Sequence, residues 1–143
     1  MNEALTKLLF IGLGGSLGSL GRYWMTAALN RRLGALDAAS VLAPFPWATA
    51  SVNLLGCLLF GVVAALLPEE ESGSPVRVFL LAGFLGAFTT FSTFAFDSVR
   101  LLQESRPGSA LLNLALQNAG GLLFLGLGLW LGGWCSRCFG GEG

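Results

Sequence analysis

The chain has 143 residues, eight basic against eight acidic, and no histidine; 54 % of it is hydrophobic and only 11 % charged, where soluble domains carry about 25 % charge. So few charges cannot cover the surface of a soluble fold. A neutral balance removes the electrostatic case for a nucleic-acid partner, and without histidine the commonest general base and metal ligand is missing; the reading is an all-α integral membrane protein that is not an enzyme.

Four long intervals contain no Asp, Glu, Lys or Arg: 8–21, 38–68, 78–96 and 107–136. A spanning helix needs about 20 apolar residues. The first interval is too short by itself and, behind Lys7, reads like the apolar region of a signal peptide. A helix over about 5–29 serves better. It carries Arg22 near one end, with Arg22, Tyr23 and Trp24 at the interface where a guanidinium can snorkel.

The second helix is placed at 47–67, after Pro44 and Pro46. Thr49 and Asn53 lie four apart and share a face. An asparagine at this depth is either interhelical glue, worth about 0.6 kcal/mol on average, or a donor to a passing anion.

The third helix is bounded by Arg77 and Asp97, so 78–96 barely crosses the bilayer. It holds the string GFLGAFTTFSTF at 83–94. Such a run has poor helix propensity, and its glycines offer a place for the backbone to unwind. Broken backbone at membrane depth is tolerated only where it is buried or lines a cavity. Freed carbonyls there would suit a small hard cation, and the ring edges of Phe91 and Phe94 carry partial positive charge. Hydroxyls bonded back to the helix and phenylalanines used as packing account for the same run.

The fourth helix is expected over 110–134, behind Pro107, with Trp130 and Trp134 as interfacial anchors. Asn113, Gln117 and Gly121 form one stripe at four-residue spacing. Amides facing lipid would be costly, so the stripe must face protein or water. The four helices make a single integral membrane domain over 1–143, with loops near 30–46, 68–77 and 97–109.

Pairs of glycines four apart, Gly14 with Gly18 and Gly128 with Gly132, let helices approach closely in lipid. Cys57 reads as an apolar filler, Cys135 and Cys138 as an isolated C-x-x-C, and Glu69–Glu71 as a solvated loop. Basic residues divide three against five between the two sides (Lys7, Arg77 and Arg137 against Arg22, Arg31, Arg32, Arg100 and Arg106), a bias too weak to fix one orientation.

Gly14-Gly15 through Arg22-Tyr23, Thr49 with Val52-Asn53-Leu54-Leu55-Gly56, and above all residues 83–94 resemble the Fluc (CrcB) fluoride channels over nearly the whole chain. The resemblance implies a fluoride-selective channel that exports fluoride passively and so lowers its cytoplasmic concentration. It also implies a multi-pass protein of the bacterial plasma membrane, working as an antiparallel, dual-topology homodimer with two pores. A structural sodium ion, not transported, would sit at the dimer centre.

By position, the resemblance assigns the sodium to the backbone carbonyls of Gly86 and Thr89. It assigns the fluoride-facing ring edges to Phe91 and Phe94, the pore amide to Asn53, and a hydroxyl one turn away to Thr49. The family's polar stripe on the fourth helix falls on Asn113 and Gln117, amides in place of hydroxyls or an aromatic, and on Gly121, which has no side chain. One four-helix bundle encloses no lumen, so a pore lined by these stripes needs a second copy.

The interiors of the second to fourth spans hold no Asp, Glu, Lys or Arg. That disfavours a proton-coupled multidrug exporter and an intramembrane enzyme, and it favours passive conduction. A non-conducting structural subunit of a larger membrane complex is the remaining alternative.

Overall fold

The computed structural model describes residues 2–37, 45–67 and 73–139. Four helical stretches are long and apolar enough to cross a membrane: Glu3–Leu33, Trp47–Leu66, Pro75–Gln103 and Pro107–Cys138. Among the described residues there is no strand. Large apolar side chains such as Leu8, Leu13, Leu122 and Leu123 stand exposed at 61–73 %, which in a bilayer is contact with lipid. The protein is a multi-pass, all-α membrane protein.

Helix α1 runs Glu3–Asp37, 35 residues, or about 52 Å at 1.5 Å per residue, against a hydrocarbon core of about 30 Å. It therefore outruns the expected 5–29. Charges mark where lipid ends, but a helix ends only at a breaker or cap, and 30–37 contains no proline. Arg22 consequently falls in the middle of α1 rather than near its end.

Helix α2 spans Trp47–Leu66. Its C-terminal end is held by Arg77, whose Nε donates to the Leu67 carbonyl at 2.9 Å, a cation placed at the negative end of a helix. The acidic run 69–71 lies outside the described residues.

The third span is built in two pieces. Helix α3, residues 75–88, starts with Ser74 as N-cap, its hydroxyl accepting from the Arg77 N–H at 3.2 Å, and with Pro75 in the first turn. From Val78 to Leu85 it is wound as a π-helix. It stops at Thr89, where ψ swings to 157°, and Thr90 is also extended, φ −146° and ψ 108°. Helix α4, Phe91–Gln103, restarts with Thr90 as N-cap, its hydroxyl accepting from the Thr93 N–H at 3.3 Å.

The chain then turns at Ser105, φ 58°. Its N–H bonds the Leu102 carbonyl while Arg106 N–H bonds that of Leu101, the paired closure usual at a helix C-terminus. Helix α5 follows as Pro107–Phe139, 33 residues, and like α1 it continues past the expected end.

Glycines set the packing. A Cβ at Gly14 would strike the Phe79 carbonyl and the Phe84 N–H, and one at Gly18 the Phe84 carbonyl, so α1 lies backbone to backbone on the π-helical stretch of α3. Gly61 meets the Leu125 carbonyl of α5, and Gly128 and Gly132 meet the Leu58 and Val62 carbonyls of α2. Close approach of this kind drives helix association in lipid, where burial of apolar surface adds little.

Candidate functional site

The break in the third span and a single asparagine of α2 form one unit. Thr90 N–H donates to Asn53 Oδ1 at 2.8 Å, and Asn53 Nδ2 donates back to the Thr90 carbonyl at 3.1 Å. The side-chain amide thus pairs with Thr90 as a neighbouring strand would, and it satisfies backbone groups that a broken helix leaves open. Gly56, one turn on, leaves the notch that receives the Thr89 methyl group and the Phe88 ring.

Two backbone carbonyls lose their helical donors at this point. The Thr90 N–H would close on Gly86 in a continuous helix but goes to Asn53. The Thr93 N–H would close on Thr89 but is taken by the Thr90 hydroxyl. Gly86 is exposed in the isolated chain and Thr89 is half-buried.

From Asn53 the hydrogen bonds continue away from the break. Asn53 Nδ2 donates to Gln117 Oε1 at 2.6 Å, Gln117 Nε2 to Asn113 Oδ1 at 2.8 Å, and Asn113 Nδ2 to Ser98 Oγ at 2.9 Å. The Ser98 hydroxyl ends the series on the Phe94 carbonyl at 2.8 Å. Asn113 is completely buried and Ser98 nearly so. Asn113 is therefore turned into protein, as the cost of facing lipid requires, and Gln117 is half-buried beside it, whereas Asn118 is exposed.

Asn53, Thr90, Gln117, Phe91 and Phe94 line one cleft of about 340 Å³, with Cys57 on its wall. Among the described residues, no Asp, Glu, Lys or Arg lines it. The rings of Phe91 and Phe94 stand 5.5 Å apart and tilted by 58°. Phe94 is 6 % exposed, whereas Phe91 is 78 % exposed in a single chain. Gly121 faces Cys57, whose Sγ lies 3.5 Å from where a Cβ would be. Asn118, on the same helix, spends its amide on the Leu114 carbonyl at 2.7 Å.

Thr49 is set apart from the Asn53 group. Its hydroxyl donates to Asp97 Oδ2 at 2.8 Å, and it opens on a different cleft with Arg22, Asn30 and Thr90. Thr90 touches both clefts and so stands between them. Sequence spacing places Arg22 at the interface and Asp97 at a helix boundary. Arg22 instead lines a cleft that Thr90 also touches, and Asp97 lies inside α4, bonded to Thr49, because α1 and α4 continue past the apolar windows. Ser98 and Thr90 carry no sequence signal of their own, since one lies beyond Asp97 and the other sits within a run of hydroxyls.

A family model described as "CrcB-like protein, Camphor Resistance (CrcB)" matches residues 9–129. A relative from Solidesulfovibrio magneticus, named "Fluoride-specific ion channel FluC", is 45 % identical over 129 residues, 90 % of this chain and 97 % of the relative. Relatives of the same name from Nitratidesulfovibrio vulgaris, 44 % identical over 130 residues, and Thermus thermophilus, 43 % over 123, cover 90 % and 86 % of this chain and 94 % and 88 % of themselves.

Proposed function

Because the chain belongs to the CrcB family of membrane proteins, we propose that it is a fluoride channel conducting passively and lowering cytoplasmic fluoride. The observation that carries the reading is the cleft at the third-span break. It combines the side-chain amides of Asn53 and Gln117 with the rings of Phe91 and Phe94, and its described lining holds no acidic or basic residue. A small anion must be met by several donors as it sheds water, yet a full positive charge beside it would hold it. Neutral donors allow both entry and exit. A cleft with no carboxylate or base among its described lining suits passive conduction rather than coupling to protons.

The working unit in this reading is an antiparallel homodimer. A second copy would cover the exposed Phe91 ring and the exposed backbone at Gly86, which is costly to leave against hydrocarbon. The three-against-five division of basic residues permits insertion both ways up. The carbonyls of Gly86 and Thr89, whose helical donors are diverted to side chains, are hard oxygen ligands and fit a sodium ion. Gly86 and Thr89 would hold it, and its charge would satisfy acceptors that water cannot reach.

The test is halide efflux from liposomes containing only this protein. Fluoride should leave rapidly and chloride should not; comparable chloride flux would overturn the reading. Replacing sodium by a large organic cation on both sides should stop fluoride flux, and unchanged flux would remove the sodium from the account.

A further inference from the structure

The hydrogen-bond series behind the cleft has a direction, and the chemistry of its members fixes that direction. Asn53 cannot turn over: Thr90 offers it one N–H and one carbonyl, at 2.8 and 3.1 Å, and only the observed orientation satisfies both. Its remaining amide hydrogen points at Gln117, which must therefore present its oxygen, at 2.6 Å. Gln117 then gives its NH2 to Asn113 Oδ1, Asn113 gives its own to Ser98, and the Ser98 hydroxyl donates to the Phe94 carbonyl.

In this arrangement Asn53 has no free donor. Both hydrogens of Nδ2 are used, one on Thr90 and one on Gln117. An anion can bind to Asn53 only by displacing the Gln117 oxygen.

Resting on the fluoride-channel reading, we propose that the amides reverse together when the anion enters. Gln117 turns its NH2 into the cleft, and Asn53 and Gln117 then donate to the ion from two sides. The Gln117 oxygen now faces Asn113, which must turn its own NH2 toward it. The Asn113 oxygen then faces Ser98.

At Ser98 the reversal ends without an orphaned group. A hydroxyl both donates and accepts, so Ser98 rotates its hydrogen from the Phe94 carbonyl to Asn113. That carbonyl lies inside α4 and keeps its place in the helical ladder. Gln117 is the ion-touching residue; Asn113 and Ser98, buried behind it, are positioning residues that set which atom of Gln117 the cleft receives. A hydroxyl at the end of the relay is required. An amide or a carbonyl there would favour one direction only.

Two measurements on the full-length protein test this. In liposomes, Ser98→Ala lets the Asn113 NH2 of the resting direction turn to a carbonyl of its own helix, as Asn118 does with Leu114, but leaves the Asn113 oxygen of the reversed direction without a donor. It should slow fluoride efflux roughly tenfold, the rate equivalent of one buried polar group losing its partner. Ser98→Thr, which restores the hydroxyl, should recover most of the flux. In lipid nanodiscs, the side-chain amide resonances of Gln117 and Asn113, labelled with nitrogen-15, should both move on titration with sodium fluoride and stay still with sodium chloride.

The Asn113 signal decides the matter, because Asn113 is completely buried outside the cleft and a merely structural amide there would not respond. Wild-type protein that conducts fluoride while Asn113 stays unmoved overturns the reversal and leaves the channel reading standing. Wild-type protein that passes no fluoride overturns the channel reading and this inference with it.

Discussion

Replacing Asn53 by alanine removes the contacts that hold the third-span break and the first amide of the cleft in a single step. Three hydrogen bonds go: from Thr90 N–H, to the Thr90 carbonyl and to Gln117 Oε1. At about 1 kcal/mol each in a protein interior the loss is about 3 kcal/mol. At the lower average of about 0.6 kcal/mol found between membrane helices it is about 2 kcal/mol. For a chain of this size each kcal/mol moves the midpoint by about 2–4 °C, so thermal unfolding in detergent, followed by tryptophan fluorescence, should shift down by roughly 5–10 °C. Fluoride efflux should be lost, because the cleft then lacks the donor nearest the break. Wild-type flux together with an unshifted midpoint would refute the reasoning, since Asn53 would then neither hold the break nor meet the ion.

The Phe94→Ile substitution keeps bulk at a 6 % exposed position but removes the positive ring edge, so flux should fall while the midpoint drops by no more than about 1.5 kcal/mol equivalent; unchanged flux would make Phe94 packing alone. At Gly18 a valine has the Phe84 backbone in its way, and thermal unfolding should show a loss of about 1–3 kcal/mol or more. Gly12→Ala, with nothing within 4 Å of its Cβ, should instead leave the midpoint level or raise it by up to about 1 kcal/mol equivalent. With exposed Cys138 as the sole cysteine, a membrane-impermeant maleimide applied to intact cells should label roughly half the chains, the rest reacting only after permeabilisation, if insertion is unbiased. Labelling of essentially all chains from one side would exclude the antiparallel dimer.

The spans were legible because charge is so scarce: four uncharged intervals gave four helices, and the hydroxyl- and glycine-rich string at 83–94 contained the break of the third, although it falls at Thr89 and Thr90 and not at the glycines, which stay helical. Helix ends were less legible. Hydropathy reports where lipid stops, and α1 and α5 run on past the apolar windows because no proline interrupts them there. The phase of α4 was not legible at all. Two extended residues, Thr89 and Thr90, interrupt the 3.6-residue period, so no periodicity running from 83 to 88 could tell which residues after 91 would face Asn113. That is why Ser98 was missed. It is also why Thr49, on the expected face with Asn53, proved to be bonded to Asp97: four positions on a helix differ by about 40° of rotation, enough to place two side chains on opposite sides of a narrow break.

Asn53 posed a choice from the sequence between holding helices together and meeting an anion, and in the proposed reading one geometry serves both. Its carbonyl and one amide hydrogen are committed to Thr90, while the second hydrogen points along the cleft wall at Gln117. An amide free to rotate would present a donor at one moment and an acceptor at the next; one clamped by a backbone pair can present only the donor, here held by the Gln117 oxygen until that is displaced. The clamp works because the break itself cannot drift. Gly14 and Gly18 seat the π-helical part of α3 on α1 through its backbone, and Gly56 receives the side chains of Thr89 and Phe88 on α2, so the broken segment is gripped from two sides with little slack. The glycines that look like packing and the asparagine that looks like chemistry are parts of one device: close approach fixes the break, the break presents Thr90, and Thr90 orients the donor.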